Sequence, residues 1–219
     1  MVQKTRVGVL ISGRGSNLQA LIDACQKDDF PAEIGLVVSN KAGAQGLDRA
    51  REAGIATACI DHTLFEEREL FEEEMDRQLR EAKIKFLCLA GFMRILTPYF
   101  IDRWRDKLIN IHPSLLPAFK GVSTHERAIE SGVRIHGCTV HFVRPEMDDG
   151  PIIGQAAVPV LPGDDADSLS RRVLEAEHRL YPTCLKLLVE GKARVTAERV
   201  RMQANVAADP DRRIFNPSV

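Results

Sequence analysis

Apolar residues in the first half of the chain fall into short continuous runs, separated by segments of mixed character. Runs of this length without regular polar positions are typical of strands that are buried on both faces of a sheet. They predict strands over residues 6–12, 32–40, 55–60, 84–90 and 108–111.

Between these strands, apolar residues recur at the spacing of an amphipathic helix. Ser16 and Gln19 are expected to form a capping box at the first helix. Thr97 and Pro98 indicate another helix start, because proline suits the first helical position. Alternating strands and helices predict an α/β, Rossmann-like fold, a mainly parallel twisted sheet with helices on both faces. The spacing itself predicts helices over 16–25, 46–54, 64–83 and 124–131.

The second half of the chain follows a different pattern. Segments 137–145 and 151–160 have strand character and are joined by a short polar turn, which predicts an antiparallel strand pair in the C-terminal half. A long helix is expected over 165–191, with a kink near Pro182. The boundaries predicted from this pattern are 1–191 for a single domain and 192–219 for a partly irregular C-terminal extension.

Composition and charge narrow the classes of protein to consider. The 219 residues carry 30 Lys and Arg against 31 Asp and Glu, and a net charge of −1 gives no indication of a nucleic-acid or membrane partner. No apolar run approaches the about 20 residues of a membrane-spanning helix, and the first run is too short for a secretory signal. The 5 cysteines are scattered, and no spacing indicates a metal site. We expect a cytoplasmic protein with reduced thiols and no metal.

Three loops directly follow predicted parallel strands, at residues 12–17, 91–96 and 110–117. The carboxyl ends of parallel strands meet at one edge of a sheet, and ligands of such folds bind outside that edge. These loops are therefore the first candidates for a binding site.

The first of these loops reads SGRGSN and leads directly into a helix. Backbone N–H groups at a helix N-terminus, together with the helix dipole, attract anions such as phosphate. Leu18 stands where a dinucleotide-binding loop would have its third glycine, and no Gly-Lys-Ser/Thr follows, which disfavours a nicotinamide-dependent oxidoreductase or a P-loop. The loop indicates a phosphate or phosphosugar site, or else only a tight turn with a helix cap.

The third loop begins at Asn110 and His112, which share one strand face because side chains alternate along a strand. Asparagine can donate to a developing oxyanion, and histidine can do so when protonated or can move protons near neutral pH. A structural pair with satisfied hydrogen bonds is the alternative. Pro113 and Pro117 fix the path of the chain beyond the strand, and the Leu116–Pro117 bond is a candidate for the cis form.

Some charged positions have both a functional and an ordinary interpretation. The turn Asp148-Asp149 could place a carboxylate beside a histidine and stabilise its protonated form, although both residues are also good turn formers. Arg68 falls on the predicted buried face of its helix, where it would either extend to water or contact a ligand. Glu177 lies near the apolar stripe of the long helix, and a surface position is the default expectation for it.

Taken together, these segments resemble the phosphoribosylglycinamide formyltransferase family, folate-dependent enzymes of purine synthesis. The resemblance runs in order over residues 6–182, and formyltransferases more widely share its Asn-x-His-Pro-Ser-Leu-Leu-Pro and Asp-x-Gly-Pro-Ile segments. The matching stretches are LISGRGSNLQALIDA, SNKAGAQGLDRAREAGI, LAGFMRILTPYF, NIHPSLLPAFKG, HGCTVHFV, DDGPIIGQAAVPV and EHRLYP.

The resemblance implies transfer of the formyl group of 10-formyltetrahydrofolate, as co-substrate, to the amine of 5'-phosphoribosylglycinamide, without a metal. It implies that Asn110 and His112 stabilise a tetrahedral intermediate and that Asp148 favours the protonated form of His112. The residues that it implies for the ribonucleotide are Gly15, Ser16, Asn17 and Glu177. Those that it implies for the folate are Arg68, Met93, Arg94, Ile95, Leu96, Asn110, Arg144, Met147 and Asp148.

The sequence departs from the family pattern in two places. Asp149 stands where many relatives have a small residue, so either Asp148 or Asp149 could be the partner of His112. Ser123 stands where some relatives have histidine, which leaves His125 as a possible neighbour of the ligand.

Other functions on the same fold are formyltetrahydrofolate hydrolase, methionyl-tRNA formyltransferase and a non-catalytic phosphosugar-binding regulator. The hydrolases carry an additional amino-terminal domain and the tRNA enzymes an additional carboxyl-terminal domain, and we expect that this chain has room for neither. The expected partners are small-molecule substrates rather than nucleic acid or membrane, with the protein a monomer or a homodimer.

Overall fold

The computed structural model of this protein describes residues 4–203, together with Val206 and Asn216. The described residues form two compact units. The first lies within Met1–Asn110 and Phe142–Pro145, and the second within Ile111–His141 and Glu146–Val219. The domain boundary expected at residue 191 stays a prediction.

The first unit is built on parallel strands. β1 (Thr5–Ile11) pairs with β2 (Ala32–Ser39) on one side and with β4 (Phe86–Leu89) on the other. β2 also pairs with β3 (Thr57–Cys59), and β4 pairs with β5 (Leu108–His112). Each of these pairings is parallel, so the predicted strands of the first half are confirmed, with small shifts at their ends.

The helices of the first unit pack their apolar faces on this sheet. α3 (Arg68–Glu81) contributes Phe71 and Met75, and α4 (Pro98–Arg103) contributes Phe100, to a core that also contains Leu10 and Leu87 of the strands. The α4 start is as predicted, because Pro98 is its first residue and the Thr97 hydroxyl accepts from Phe100 N. The helices are α1 (Ser16–Cys25), α2 (Gln45–Glu52), α3 (Arg68–Glu81) and α4 (Pro98–Arg103).

The predicted start of α3 at residue 64 is wrong. Asp61 Oδ1 accepts from Thr63 N and caps a short 3-10 turn over His62–Leu64, after which the chain is extended until α3 begins. Leu64, the first residue of the predicted helix, is 81% exposed. The local Asx-type hydrogen bond competes with the helix here, and apolar spacing does not report it.

The second unit contains the predicted antiparallel pair. β6 (Ile135–Phe142) pairs with β7 (Ile152–Pro159) in antiparallel register, and α5 (Thr124–Glu130) precedes them. α6 (Ala166–Val189) packs on β7 and continues through Pro182, where the expected kink stays a prediction.

The close approach of α6 to β7 depends on a glycine. A Cβ atom at Gly154 would lie 2.9 Å from Cys184 Sγ and 3.2 Å from Leu180 Cδ1. A larger residue at this strand position would therefore push the helix away from the sheet.

The C-terminal extension begins with a hairpin rather than with irregular chain. β8 (Ala193–Thr196) and β9 (Arg199–Met202) pair in antiparallel register through a turn at Ala197 and Glu198, both with positive φ. Beyond it, positions 204–205, 207–215 and 217–219 lie outside the described residues.

In the described part of the chain, β1 to β7 form a seven-stranded sheet in the order β3-β2-β1-β4-β5-β6-β7, and β8–β9 form a separate sheet. The mainly parallel, Rossmann-like α/β architecture is therefore confirmed. No helix among the described residues is both long and apolar enough to cross a membrane.

Candidate active site

The pair Asn110 and His112 lies at the carboxyl end of β5, alternating with the buried Ile109 and Ile111. His112 is itself buried, and its Nε2 lies 3.1 Å from the Phe119 carbonyl oxygen. A carbonyl can only accept, so Nε2 carries a hydrogen in this arrangement. Nδ1 is then the ring nitrogen that gains a proton when His112 becomes an imidazolium.

Asp148 faces that second ring nitrogen of His112. Its Oδ2 lies 3.5 Å from His112 Nδ1 and also accepts from Gly121 N at 2.8 Å. Asp148 has a left-handed backbone conformation, with φ of 52°. The pairing gives buried His112 a half-buried carboxylate neighbour.

The neighbouring carboxylate, Asp149, turns to a different partner. Its Oδ1 forms an ion pair with Lys120 Nζ on the exposed side of the turn. The two acids that the sequence left as alternatives therefore occupy different positions, with Asp148 at the histidine and Asp149 at the lysine.

A second histidine near Asp148 was missed from the sequence. His141, on β6, is 2% exposed, and its Nε2 lies 3.9 Å from Asp148 Oδ1. Its proximity arises because the β6–β7 turn folds back, which strand alternation alone does not reveal.

His125 and His136 form a separate cluster with Phe119. The rings of His125 and His136 are 5.6 Å apart edge to face, and Phe119 also lies 5.6 Å from His136. Burial, and then the nearby His125, lowers the pKa of His136 to about 4, and burial lowers the pKa of His125 as well. Both rings are thus held neutral near pH 7, and His125 belongs to this packed cluster.

The glycine loop (residues 12–17) turns into α1 differently from the prediction. Gly15, in the left-handed conformation with φ of 73°, is the N-cap of α1, and Ser16 is the first helical residue. The expected Ser16 capping box is therefore wrong, since no side chain caps this end. A Cβ at Gly15 would lie 2.7 Å from Gly46 Cα, so this position needs glycine.

The backbone N–H groups of Ser16 and Asn17 lie at the positive end of α1, and no side chain caps this end of the helix. The first N–H groups of a helix have no intrahelical acceptor, and the helix dipole favours an anion beside them. The geometry of the glycine loop therefore suits a phosphate group.

The 91–96 loop presents apolar side chains to solvent. Met93 is 72% exposed and Ile95 is 63% exposed, whereas Leu96 is buried in the core and Arg94 is half-buried. Adjacent exposed apolar side chains are unusual enough to indicate a surface for an apolar group.

Arg68 does not lie on a buried face, and that prediction is wrong. It is the first residue of α3, is exposed, and donates from Nη1 to the Ile95 carbonyl at 3.5 Å. The late start of α3 places Arg68 at the exposed end of the helix, and its contact with Ile95 keeps it beside the 91–96 loop.

Arg144 and Met147 differ in how far their side chains are available. Arg144 is buried and donates to Asp106 Oδ1 at 2.6 Å, so its guanidinium is engaged within the first unit. Met147, in the second unit, is 56% exposed.

Glu177 is buried, and the default expectation of a surface position is wrong. It is 5% exposed on the inner face of α6. Burial, and then the nearby Glu177, raises the pKa of Cys138 to about 12. A buried carboxylate requires hydrogen-bond donors, from protein or from a ligand.

Another buried acid, Glu72, was missed among the charged residues of α3. It accepts from Thr97 N at 2.8 Å and from the Thr97 hydroxyl, and burial raises its pKa. Glu72 thereby fixes the residue that follows the 91–96 loop. The sequence carried no separate signal for it, because Glu72 is one of 5 glutamates among the 14 residues of this helix.

Within the described residues, no group of three or more His, Cys, Asp or Glu side chains is arranged to hold a metal ion.

Comparison with known proteins gives a consistent assignment. A family model described as formyl transferase matches residues 5–185. The phosphoribosylglycinamide formyltransferase of Escherichia coli (strain K12) is 46% identical over 199 residues, which are 91% of each protein. The trifunctional purine biosynthetic protein adenosine-3 of Homo sapiens is 52% identical over 189 residues. The match covers 86% of this chain but 19% of that protein, so this chain spans about a fifth of the trifunctional relatives.

Solved structures agree with the sequence relatives. Glycinamide ribonucleotide transformylase 1 from Symbiobacterium toebii superimposes with a TM-score of 0.89 at 44% identity, covering 91% of this chain and 94% of that one. A formyltetrahydrofolate deformylase from Pseudomonas syringae pv. tomato gives 0.84 at 27% identity, covering 91% of this chain and 66% of that one. With the family model matching most of its length, this chain belongs to the formyl transferase family.

Proposed function

We propose that this chain transfers the formyl group of 10-formyltetrahydrofolate to the amine of 5'-phosphoribosylglycinamide, a step of purine biosynthesis. The observation that carries the proposal is the pairing of buried His112 with Asp148, at the end of the strand that also holds Asn110. The chain matches bacterial relatives that bear this function in their name over nearly their full length.

The proposed reaction is direct attack by the amine. The amine nitrogen forms a bond to the formyl carbon, the formyl oxygen becomes an oxyanion, and the bond from carbon to the folate nitrogen then breaks. Asn110 and protonated His112 would each donate a hydrogen bond to the oxyanion, an effect of about 3 kcal/mol for one well-placed donor. No covalent intermediate with the protein is needed, because holding both substrates together supplies most of the advantage.

His112 must exchange a partner to act in this way. Its Nε2 hydrogen is directed to the Phe119 carbonyl, and its Nδ1 faces Asp148. For Nε2–H to reach a substrate oxygen, it must leave the Phe119 carbonyl, while Asp148 continues to stabilise the charge from the other side of the ring. His112 therefore has one ring nitrogen, Nε2, for the substrate and the other, Nδ1, for Asp148.

Proton balance completes the step. The attacking amine loses one proton, and the departing folate nitrogen gains one. His112, or a water held beside it, would carry this proton, since a histidine paired with a carboxylate can accept and release protons near neutral pH.

The ribonucleotide would be held by two sets of groups. The backbone N–H groups of Gly15, Ser16 and Asn17 would bind its phosphate at the start of α1. Glu177, as a buried carboxylate, would accept hydrogen bonds from the ribose hydroxyls.

The folate would be held by groups of different chemistry. The 91–96 loop, through Met93, Arg94, Ile95 and Leu96, would contact its ring system, and Met147 offers a further exposed apolar side chain. Arg68 would pair with a carboxylate of the folate tail, because its guanidinium is exposed beside Ile95. Arg144 would contribute through its backbone, since Asp106 holds its side chain.

Small-molecule substrates account for these residues without a metal, a nucleic acid or a membrane surface. The choice between monomer and homodimer and the cytoplasmic location stay predictions.

Tracing the formyl carbon tests the proposal. The protein is incubated with 10-formyltetrahydrofolate carrying ¹³C in the formyl group, together with the ribonucleotide, and the products are identified by mass spectrometry. We expect the label on the glycinamide nitrogen. Label recovered as formate would instead indicate the hydrolase, the function of the structurally similar deformylase.

A further inference from the structure

A chain of hydrogen-bonded groups, buried at Ser12 and Asn40, runs along the strand ends of the first unit. Ser12 directly follows β1, Asn40 follows β2, His62 follows β3 and Met93 lies in the loop after β4. Ser12 is 7% exposed and Asn40 is 1% exposed, so these polar groups depend on one another rather than on water.

Ser12 is the centre of this chain because its hydroxyl is used twice. It donates to Asn40 Oδ1 at 2.6 Å and accepts from Met93 N at 2.8 Å. The backbone N–H of Ser12 also donates to the Gly91 carbonyl at 3.1 Å. One residue of the glycine loop thus holds the 91–96 loop at two points.

Asn40 extends the chain to the end of β3. Its side-chain nitrogen Nδ2 lies 3.3 Å from His62 Nδ1, and its backbone carbonyl oxygen lies 3.2 Å from the same nitrogen. If Nδ1 carries a hydrogen, it donates to the backbone carbonyl of Asn40, and if it does not, it accepts from Nδ2 of Asn40. This chain of hydrogen bonds therefore connects the residues that follow β1, β2, β3 and β4.

Building on the proposed function, we propose that Ser12 and Asn40 are positioning residues that couple the ribonucleotide-phosphate loop to the folate loop. Any displacement of Ser12 breaks its bonds to Asn40 and Met93 together, and it leaves the buried Oδ1 of Asn40 without its donor. The conformation of the glycine loop and the conformation of the 91–96 loop consequently depend on each other. A ligand that orders one loop orders the other, so each substrate tightens the binding of the other.

A neighbouring serine provides a matched control. Ser39 is also buried, at the end of β2, and its hydroxyl donates to the Lys41 carbonyl at 2.8 Å and accepts from Lys41 N at 3.0 Å. Both of these hydrogen bonds join Ser39 to a residue two positions along the chain. Ser39→Ala therefore removes the same kind of hydroxyl and two bonds, but none that joins the two loops.

The test is a binding measurement that needs no turnover. Calorimetry gives the Kd of tetrahydrofolate, a folate without a formyl group to transfer, in the absence and presence of saturating 5'-phosphoribosylglycinamide. The ratio of the two Kd values is the coupling factor, and the reciprocal experiment must return the same factor. We expect a factor of about 5 or more in the wild type and in Ser39→Ala, and below about 2 in Ser12→Ala.

Ser12→Cys keeps the shape of the side chain but weakens its hydrogen bonds, and it decides the matter if Ser12→Ala fails to fold. We expect an intermediate factor for it. A wild-type factor near 1, full coupling in folded Ser12→Ala, or equal loss in Ser39→Ala would each overturn the inference. Coupling in a wild type that transfers no formyl group would support the inference and contradict the proposed function.

Discussion

At the scale of single residues, Asp148 and Asp149 are neighbours with opposite surroundings. Asp148 is directed to buried His112 and is fixed by Gly121 N, whereas Asp149 lies at the surface with Lys120. A carboxylate beside a buried ring acts strongly on its charge, whereas an exposed ion pair contributes about 0–1 kcal/mol.

We therefore expect the two Asp-to-Asn variants to differ in kcat. Asp148→Asn should lower kcat by about 100-fold or more, because His112 loses its carboxylate partner at Nδ1. Asp149→Asn, its matched control, should change kcat by less than about fivefold. Steady-state kinetics with both substrates saturating measures this, and equal losses in the two variants would show that the assignment is wrong.

His112→Ala should lower kcat by about 10²–10³-fold, the usual effect of removing one oxyanion donor. The Kd of tetrahydrofolate should change far less, because the contribution arises in the transition state rather than in substrate binding. Kinetics combined with calorimetry separates the two effects. A near-normal kcat would remove His112 from the mechanism.

His136 should make the stability of the protein depend on pH. Its pKa is about 4 in the folded protein, against about 6.5 when unfolded, so between these values the unfolded chain binds a proton that the folded chain does not. The free energy of unfolding should therefore fall by about 2 kcal/mol between pH 7 and pH 5 on this account. Urea unfolding of wild type and His136→Phe measures it, and an undiminished fall in the variant would contradict it.

For single residues, the sequence indicated that Asn110 and His112 could act on an oxyanion, but it did not show which carboxylate contacts His112. The spacing of Asn110 and His112 already placed them on one strand face. It could not choose between Asp148 and Asp149, because that choice depends on the left-handed backbone of Asp148. Nor did it find His141, whose contact with Asp148 depends on the folded turn.

At the scale of elements, α6 has a complete capping box. Asp165 Oδ1 accepts from Ser168 N at 2.8 Å, and Ser168 Oγ accepts in return from Asp165 N at 3.0 Å. This fixes the start of the longest helix in the described part of the chain, which packs on β7 and holds Glu177.

Asp165→Ala should lower the free energy of unfolding by about 1 kcal/mol, the usual effect of losing an N-cap side chain. Asp167→Ala is the control, since Asp167 lies in the same first turn and is exposed but does not cap. Its effect should be limited to the helix dipole, about 0.3–1 kcal/mol at most. Chemical denaturation of both variants gives the difference, and a larger loss for Asp167→Ala would contradict it.

Helix and strand periodicity predicted the elements well, but it failed at the cap of α1 and at the start of α3. At α1 a left-handed glycine replaced the expected serine cap, and at α3 the Asp61 turn delayed the helix by about one turn. Both errors arise from local hydrogen bonding and backbone conformation, which compete with the hydrophobic pattern without changing it. The second error also left Arg68 at the exposed start of α3.

At the scale of the whole molecule, alternation of strands and helices was enough to predict a mainly parallel sheet with an antiparallel pair in the C-terminal half. The register of each pair and the burial of Glu177 depend on packing between distant segments, which the sequence pattern does not report. The family match over residues 5–185 then connects the architecture with a chemistry.

The central claim is that the formyl group goes to an amine and not to water. The most direct measurement is the initial rate of tetrahydrofolate formation from 10-formyltetrahydrofolate as the concentration of 5'-phosphoribosylglycinamide is increased from zero. We expect a rate near zero without the ribonucleotide and a saturable increase with it. A rate that is already maximal without the ribonucleotide would show that the formyl group goes to water.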